Sequence, residues 1–250
     1  MPIQQGLIQL TGRIGDLIFY QTDYGYAVKR AGGNDRNRIK NDPCFVRTRE
    51  SNSEFAEAMK CVKLFRAAFS DVIREIADGS ITRRLSSLFI KLIQQDNVNV
   101  RGSRKLQPIA VTAFEGFEFN KQTSLLPTLK VLVSPLIDRS SGSLSVEVGV
   151  LSPAAIIASP PGATHFLLTT TAAELDFNDH KFISRTLSSE PIPVDTPHQD
   201  AITFASNFTG STRPLFVAFG INFVQMINGV CYPLKNREKA AMQIVKVSAY

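Results

Sequence analysis

The hydrophobic pattern changes character twice along the chain. Residues 6–30 alternate apolar and polar positions in short runs broken by glycine, which predicts three short strands. The first is Leu7-Ile8-Gln9-Leu10-Thr11, followed by a turn at Gly12-Arg13-Ile14-Gly15-Asp16. The second is Leu17-Ile18-Phe19-Tyr20, and Asp23-Tyr24-Gly25 turns the chain into the third, Tyr26-Ala27-Val28-Lys29. From Glu54 the period lengthens. Phe55, Met59, Val62, Phe65, Phe69, Ile73 and Ile76 recur at three and four residues, the spacing of one buried helix face. Asn52 or Ser53 can cap that helix, with Glu54 and Glu57 at its positive end. Asp78-Gly79-Ser80 stops it, and Ile81, Leu85, Leu88, Phe89, Leu92 and Ile93 mark a second helix that ends by Asn97. So short a connection predicts antiparallel neighbours.

Beyond Pro108 the pattern returns to short runs between turn clusters. The expected strands are Ile109–Phe114, Leu129–Leu136, Leu144–Val148, His165–Thr171, Phe182–Leu187, Ala201–Ala205, Pro214–Val224 and Met242–Val247. Asn228-Gly229, between two apolar runs, is the strongest hairpin signal in the chain. The expected fold is therefore α+β. An N-terminal β-ribbon (1–30) leads to a basic linker or arm (31–50), then a helical hairpin (51–105), then an antiparallel β-sandwich of immunoglobulin- or fibronectin-like kind (106–250). The disulfide and tryptophan that mark true immunoglobulin domains are absent, since the chain has no Trp at all.

Charge adds a second division. The formal net charge is +6, and residues 29–105 hold 17 Lys/Arg against 9 Asp/Glu, while the flanking segments are nearly neutral. The bases that would meet an anion or an acidic partner are Lys29, Arg30, Arg36, Arg38, Lys40, Arg47, Arg49, Lys60, Lys63, Arg74, Arg101, Arg104 and Lys105. On a straight helix Lys60, Lys63 and Arg74 fall in one narrow sector. Tyr20, Tyr24 and Tyr26 stand near Lys29 and Arg30, an arrangement that can stack bases, although tyrosine is also a common strand residue.

Candidate chemistry is sparse. No nucleophile elbow, phosphate-binding loop, zinc-protease helix or dinucleotide fingerprint occurs. His165 falls within an expected strand, His198 follows a proline-rich loop, and His180 sits in a turn beside Asp176 and Asp179. Glu115 and Glu118 would point to opposite faces of a strand, the wrong geometry for paired acid–base work. Cys44, Cys61 and Cys231 form no C-x-x-C pair and are expected to be free thiols in a reducing compartment. No apolar run reaches the length of a membrane span, and no secretory signal is visible at the N-terminus. Nothing in the sequence indicates a cofactor or a small-molecule substrate.

Several short blocks carry a resemblance. They are Gly12-x-Ile14-Gly15-Asp16-x-x-Phe19-Tyr20 with Gly32-Gly33 after it, Arg47-Thr48-Arg49-Glu50 with Glu54-Phe55, Pro160-Pro161-Gly162-Ala163-Thr164-His165-Phe166, and Tyr232-Pro233-Leu234-Lys235-Asn236. Together they resemble an uncharacterised protein family widespread in Bacteroidetes-type bacteria. The resemblance implies a bacterial or bacteriophage-related origin and no particular activity or site residue.

The function expected is non-enzymatic assembly. The protein would form homo-oligomers through its N-terminal ribbon and arm, as a virion component or a filament or surface subunit, in the bacterial cytoplasm or a phage-like particle. Leu7, Ile8, Leu10, Leu17, Ile18, Phe19 and Tyr20 would carry the contact. The alternatives are sequence-tolerant nucleic-acid binding through residues 29–105, and ligand or glycan binding by the β-sandwich.

Overall fold

The computed structural model describes residues 2–6, 8–32, 36–234 and 240–249. The chain divides into two compact units, Met1–Ser51 and Asn52–Tyr250.

In the first unit, β1 (Gly12–Ile14), β2 (Leu17–Thr22) and β3 (Gly25–Arg30) form an antiparallel sheet in that order. Gly15-Asp16 and Asp23-Tyr24 are two-residue turns, since Ile14 pairs with Leu17 and Thr22 with Gly25. The expected first strand differs. Leu7 lies outside the described residues, and residues 8–11 form no strand. The Gln4 side-chain amide takes both backbone groups of Leu10, accepting from its N–H at 2.9 Å and donating to its carbonyl at 3.1 Å. The short turn at Gly15-Asp16 instead draws Gly12–Ile14 onto β2. Residues 2–4 run along the outer edge of β3, with Ile3 opposite Ala27.

The segment expected to be an extended arm is largely helical: α1 (Arg36–Asn41), a 3-10 turn at Pro43–Phe45, and the start of α2 (Val46–Ala68). Proline here starts a helical turn at its first position, where its missing N–H costs nothing. Asp42 caps it by accepting from the Cys44 N–H at 2.9 Å.

In the second unit α2 continues to Ala68, and α3 (Ser70–Ile76) and α4 (Ile81–Gln94) follow. A bend at Phe69, whose φ of −107° and ψ of 24° are not helical, divides what the periodicity reads as one helix. The buried stripe includes Ala58, Cys61, Val62, Phe65, Phe69, Val72 and Ile76. Phe55, expected in that stripe, is 52% exposed. Glu54 is buried instead, where its carboxylate accepts from the Gly102 N–H at 2.9 Å. The expected strand at Ile109–Phe114 is a 3-10 helix, Pro108–Phe114. Its Val111 and Phe114 are three apart, so they eclipse on one side of a three-residue turn and are both buried.

The C-terminal region is antiparallel β. Single helical turns at α5 (Leu125–Thr128) and α6 (Pro153–Ile156) flank β4 (Val133–Asp138) and β5 (Ser143–Val148). Then come β6 (His165–Asp176), β7 (Lys181–Ser188), β8 (Ile192–Pro193), β9 (Ile202–Asn207), β10 (Leu215–Ile227), β11 (Val230–Pro233) and β12 (Ala241–Ser248). The smaller sheet has the order β4-β5-β9. In the larger, β10 pairs β6 along one edge. Its other edge is shared, by β12 over Leu215–Ile221 and by β11 over Val224–Ile227. β6 repeats the device, with β7 and β8 in succession along its far edge. The β10–β11 hairpin turns on Asn228 (φ 50°) and Gly229 (φ 77°), the left-handed pair that its sequence predicts.

β10 is buried on both faces, which explains its unbroken apolar run. Phe216 and Ala218 join the helical core. Leu215, Val217, Phe219, Ile221 and Phe223 join a second core with Leu144, Val146 and Val148 of β5 and Phe204 of β9. Gly220 is required by packing, because a Cβ there would lie 2.6 Å from the Ala241 carbonyl oxygen.

Phe65 is the hub of the helical core. Its ring centroid lies 4.7 Å from Phe69, 5.3 Å from Phe114, 5.8 Å from Phe216 and 6.2 Å from both Phe89 and Phe119. These rings come from α2, its bend, the 3-10 segment, the large sheet, α4 and the loop before α5.

Polar contacts tie the same layers at the surface. Arg84 on α4 donates to the carbonyls of Glu118 and Phe119, and its guanidinium stacks 5.1 Å from the Phe117 ring centroid. The Glu118 Oε1 accepts from the Leu125 N–H at 3.2 Å and from the Gln243 amide at 3.1 Å, while Oε2 is buried without a hydrogen-bond partner. Burial pushes this carboxyl up to about 7, against the lowering effects of the Leu125 hydrogen bond and the Arg84 charge.

Two outcomes follow. Phe65→Ala should cost about 3–5 kcal/mol, measured by urea unfolding; a loss below about 1 kcal/mol would show that the rings do not form one core. For Glu118 the folded carboxyl binds its proton more tightly than the unfolded one does. Its contribution is therefore full below the ordinary value of 4.5 and is lost as pH rises through about 7. Glu118→Gln should remove that loss, so the variant gains stability relative to wild type between about pH 5 and pH 8. Parallel stability profiles for the two proteins would refute it.

Candidate functional site

Three bases converge on one concave surface in the second unit. Lys63, Arg66, Ala67, Ser70 and Arg74 stand three, one, three and four residues apart, so they share a face of α2 and α3. Together with Met59, Val62, Ile73 and Thr82 of α4, they line an open groove of about 540 Å³. Its lining combines apolar Met59, Val62, Ala67 and Ile73 with neutral Ser70 and Thr82 and the three cations. Ser86 reaches Met59 across the helices, its hydroxyl 3.4 Å from the sulfur. Lys63 and Arg66 are exposed, and neither is paired with a carboxylate among the described residues. Arg74 lies 3.4 Å from Asp71, but both side chains are largely exposed, so the pair is weak. The groove therefore carries cationic charge over an apolar base.

Most other bases of the expected set are engaged elsewhere. Lys29 sits over the Tyr20 ring at 5.2 Å. Arg38 pairs with Asp42 and lies 5.7 Å from the Phe45 ring, and Arg47 pairs with Glu50. Arg49 is a structural staple, donating to the carbonyls of Ile39 at 2.8 Å and Asp42 at 2.9 Å. Lys60 pairs with Glu57 at 3.0 Å and does not line the groove. Arg104 lies 3.8 Å from buried Glu54; the Lys105 side chain is exposed, and it is its backbone N–H that donates to Asp96. Arg30, Arg36, Lys40 and Arg101 are exposed. Of the thirteen bases expected from sequence, the groove brings together Lys63 and Arg74; Arg66 joins them. Arg66 lies one helical turn from Lys63, a signal present in the sequence, but about 60° round the helix from it and so outside the narrow sector of Lys60, Lys63 and Arg74.

The residues expected to mediate self-association lie in the first unit. Ile8 is 79% exposed, Leu10 and Leu17 are exposed, and Ile18, Phe19 and Tyr20 are half-buried. Ile3 and Ile14 add further exposed apolar surface. Ala27 is the only buried residue described in this sheet.

Several other titratable groups serve local structure. Asp176 accepts from the N–H groups of Asn178 and Asp179 and pairs with Arg213 at 2.9 Å, so it caps its turn. Asp179 pairs with Lys181 instead of joining His180, and no cluster of three metal-capable side chains occurs among the described residues. Glu115 lies in a turn and Glu118 in an isolated β-bridge with Gln243, so neither belongs to the expected strand; both reach β12, where Glu115 accepts from the Val247 N–H at 2.9 Å. His198 lies 3.1 Å from Asp200 at the surface. Cys44 and Cys231 are exposed free thiols, and burial pushes the Cys61 thiol up to about 12, which leaves it inert. No described helix is long and apolar enough to cross a membrane.

No known family model matches the sequence, and no curated protein matches it.

Proposed function

We propose that this is a non-enzymatic assembly protein that joins copies of itself through the N-terminal sheet. The observation that carries the reading is the exposure of Ile3, Ile8, Ile14 and Leu17 around a three-stranded sheet with so little buried apolar surface. A sheet this small gains too little from its own contacts to be stable alone. Covering it with an equivalent sheet from a second copy removes the apolar side chains from water. It also pairs the outer edge of β1, which is short, begins at Gly12 and is followed by Gly15. The second unit then serves as a rigid body carried by the contact, with its two C-terminal sheets read as a β-sandwich. A virion, filament or surface-layer subunit fits this division of labour.

Light scattering on the full chain at about 100 μM tests it, a concentration at which an interface of micromolar affinity is filled. Wild type should be oligomeric, and Ile8→Glu/Ile14→Glu/Leu17→Glu should be monomeric with an unchanged circular dichroism spectrum. A monomeric wild type, or an oligomer indifferent to the three charges, overturns the reading.

A further inference from the structure

We infer that the groove of α2, α3 and α4 is a docking site for a short acidic segment of a partner protein, one that presents carboxylates and apolar side chains on the same surface. The inference rests on residues 59–82 and is independent of the N-terminal sheet.

Charge selects the sign of the occupant. Lys63, Arg66 and Arg74 all line the groove, and among the described residues the one carboxylate paired with any of them is Asp71, with Arg74. Along α2 the neighbouring base Lys60 is matched by Glu57 and Arg47 by Glu50, whereas Lys63 and Arg66 have no carboxylate partner among the described residues. A surface that leaves two neighbouring cations unmatched keeps their charge available for an incoming anion.

The base of the groove selects its class. Nucleic acid presents phosphates without apolar side chains, and sequence-tolerant binders add aromatic platforms for the bases. No aromatic residue lines this groove; Met59, Val62, Ala67 and Ile73 do. Methionine is adaptable and packs against aliphatic side chains of varied shape. An amphipathic peptide anchors apolar residues at helical spacing into such a channel and leaves its carboxylates at the rim. The volume of about 540 Å³ accommodates a few side chains, not a folded domain.

The test uses the full-length protein and a fluorescein-labelled amphipathic peptide of about twelve residues, Leu on one helical face and Glu on the other, followed by anisotropy. Saturable binding is expected, weakening with added salt. Lys63→Glu/Arg66→Glu should reduce affinity about tenfold or more, because two attractive contacts become repulsive. Lys60→Glu, which reverses a single base outside the groove, should have a small effect, and less than Lys63→Glu alone. A peptide with Ser in place of Leu should bind about tenfold more weakly, since its apolar anchors are gone. The milder Lys63→Ala/Arg66→Ala pair supplies the same comparison if the charge reversal disturbs folding. Absence of binding, equal binding to the groove and Lys60 variants, indifference to the Leu-to-Ser change, or displacement of the peptide by a short single-stranded DNA at lower concentration would each overturn the proposal. Because the readout is peptide affinity, its failure leaves the oligomeric state, and so the assembly reading, to be decided separately.

Discussion

The second unit depends on one contact set, the aromatic cluster around Phe65. Helices α2 and α4 are held against the large sheet chiefly by the apolar surface they share with it. Phe65 concentrates that surface, because its ring meets partners from the helices, the 3-10 segment and β10 at once. Edge-to-face and tilted geometries dominate, so the rings gain from their quadrupoles as well as from burial. The bend at Phe69 belongs to the same requirement. It leaves the Phe65-to-Phe69 hydrogen bond intact at 3.1 Å while placing Phe69 4.7 Å from Phe65 and 5.5 Å from Phe119. That bend also sets the position of Arg74 relative to Lys63 and Arg66, so the core determines the shape of the groove on its outer side.

What could be read from sequence was what is decided locally. Asn228-Gly229 specifies its turn through backbone angles that few other residues adopt, and the hairpin formed where expected. The stripe on α4 was legible because it repeats over several turns, and Ile81, Leu85, Phe89, Leu92 and Ile93 are all buried. Ile109–Phe114 failed because a six-residue apolar run has no periodicity long enough to separate a strand from a tight helix. Its state is decided by Pro108 and by the need to bring Phe114 beside Phe65. Leu7–Thr11 failed for a different reason: Gln4, six residues from Leu10, takes the backbone groups a strand would use.

The groove was legible in half. Helical angle alone joined Lys63 to Arg74, but it also admitted Lys60, whose partner Glu57 could not be chosen over other acids without coordinates. Arg66 was missed because it lies about 60° round α2 from Lys63, outside the narrow sector that joined Lys60, Lys63 and Arg74. Thr82 comes from another helix, and no local rule brings it there. The expected basic arm shows the same limit. Proline was read as a break, whereas Asp42 and Arg49 turn it into the start of a helical turn.

The shared edge of β10 bears on how the chain is made. β12 supplies Met242, Ile244 and Val247 to the core that the helices occupy, yet it is synthesised long after α4 has left the ribosome. Until it arrives, one edge of β10 is open over Leu215–Ile221 and the aromatic cluster lacks a wall. Until residues 241–248 have been added, the apolar face of α2–α4 lacks part of the surface that covers it in the folded chain. That exposure is a window for chaperone capture or misassociation, and it closes only when the strand at residues 241–248 zips into place.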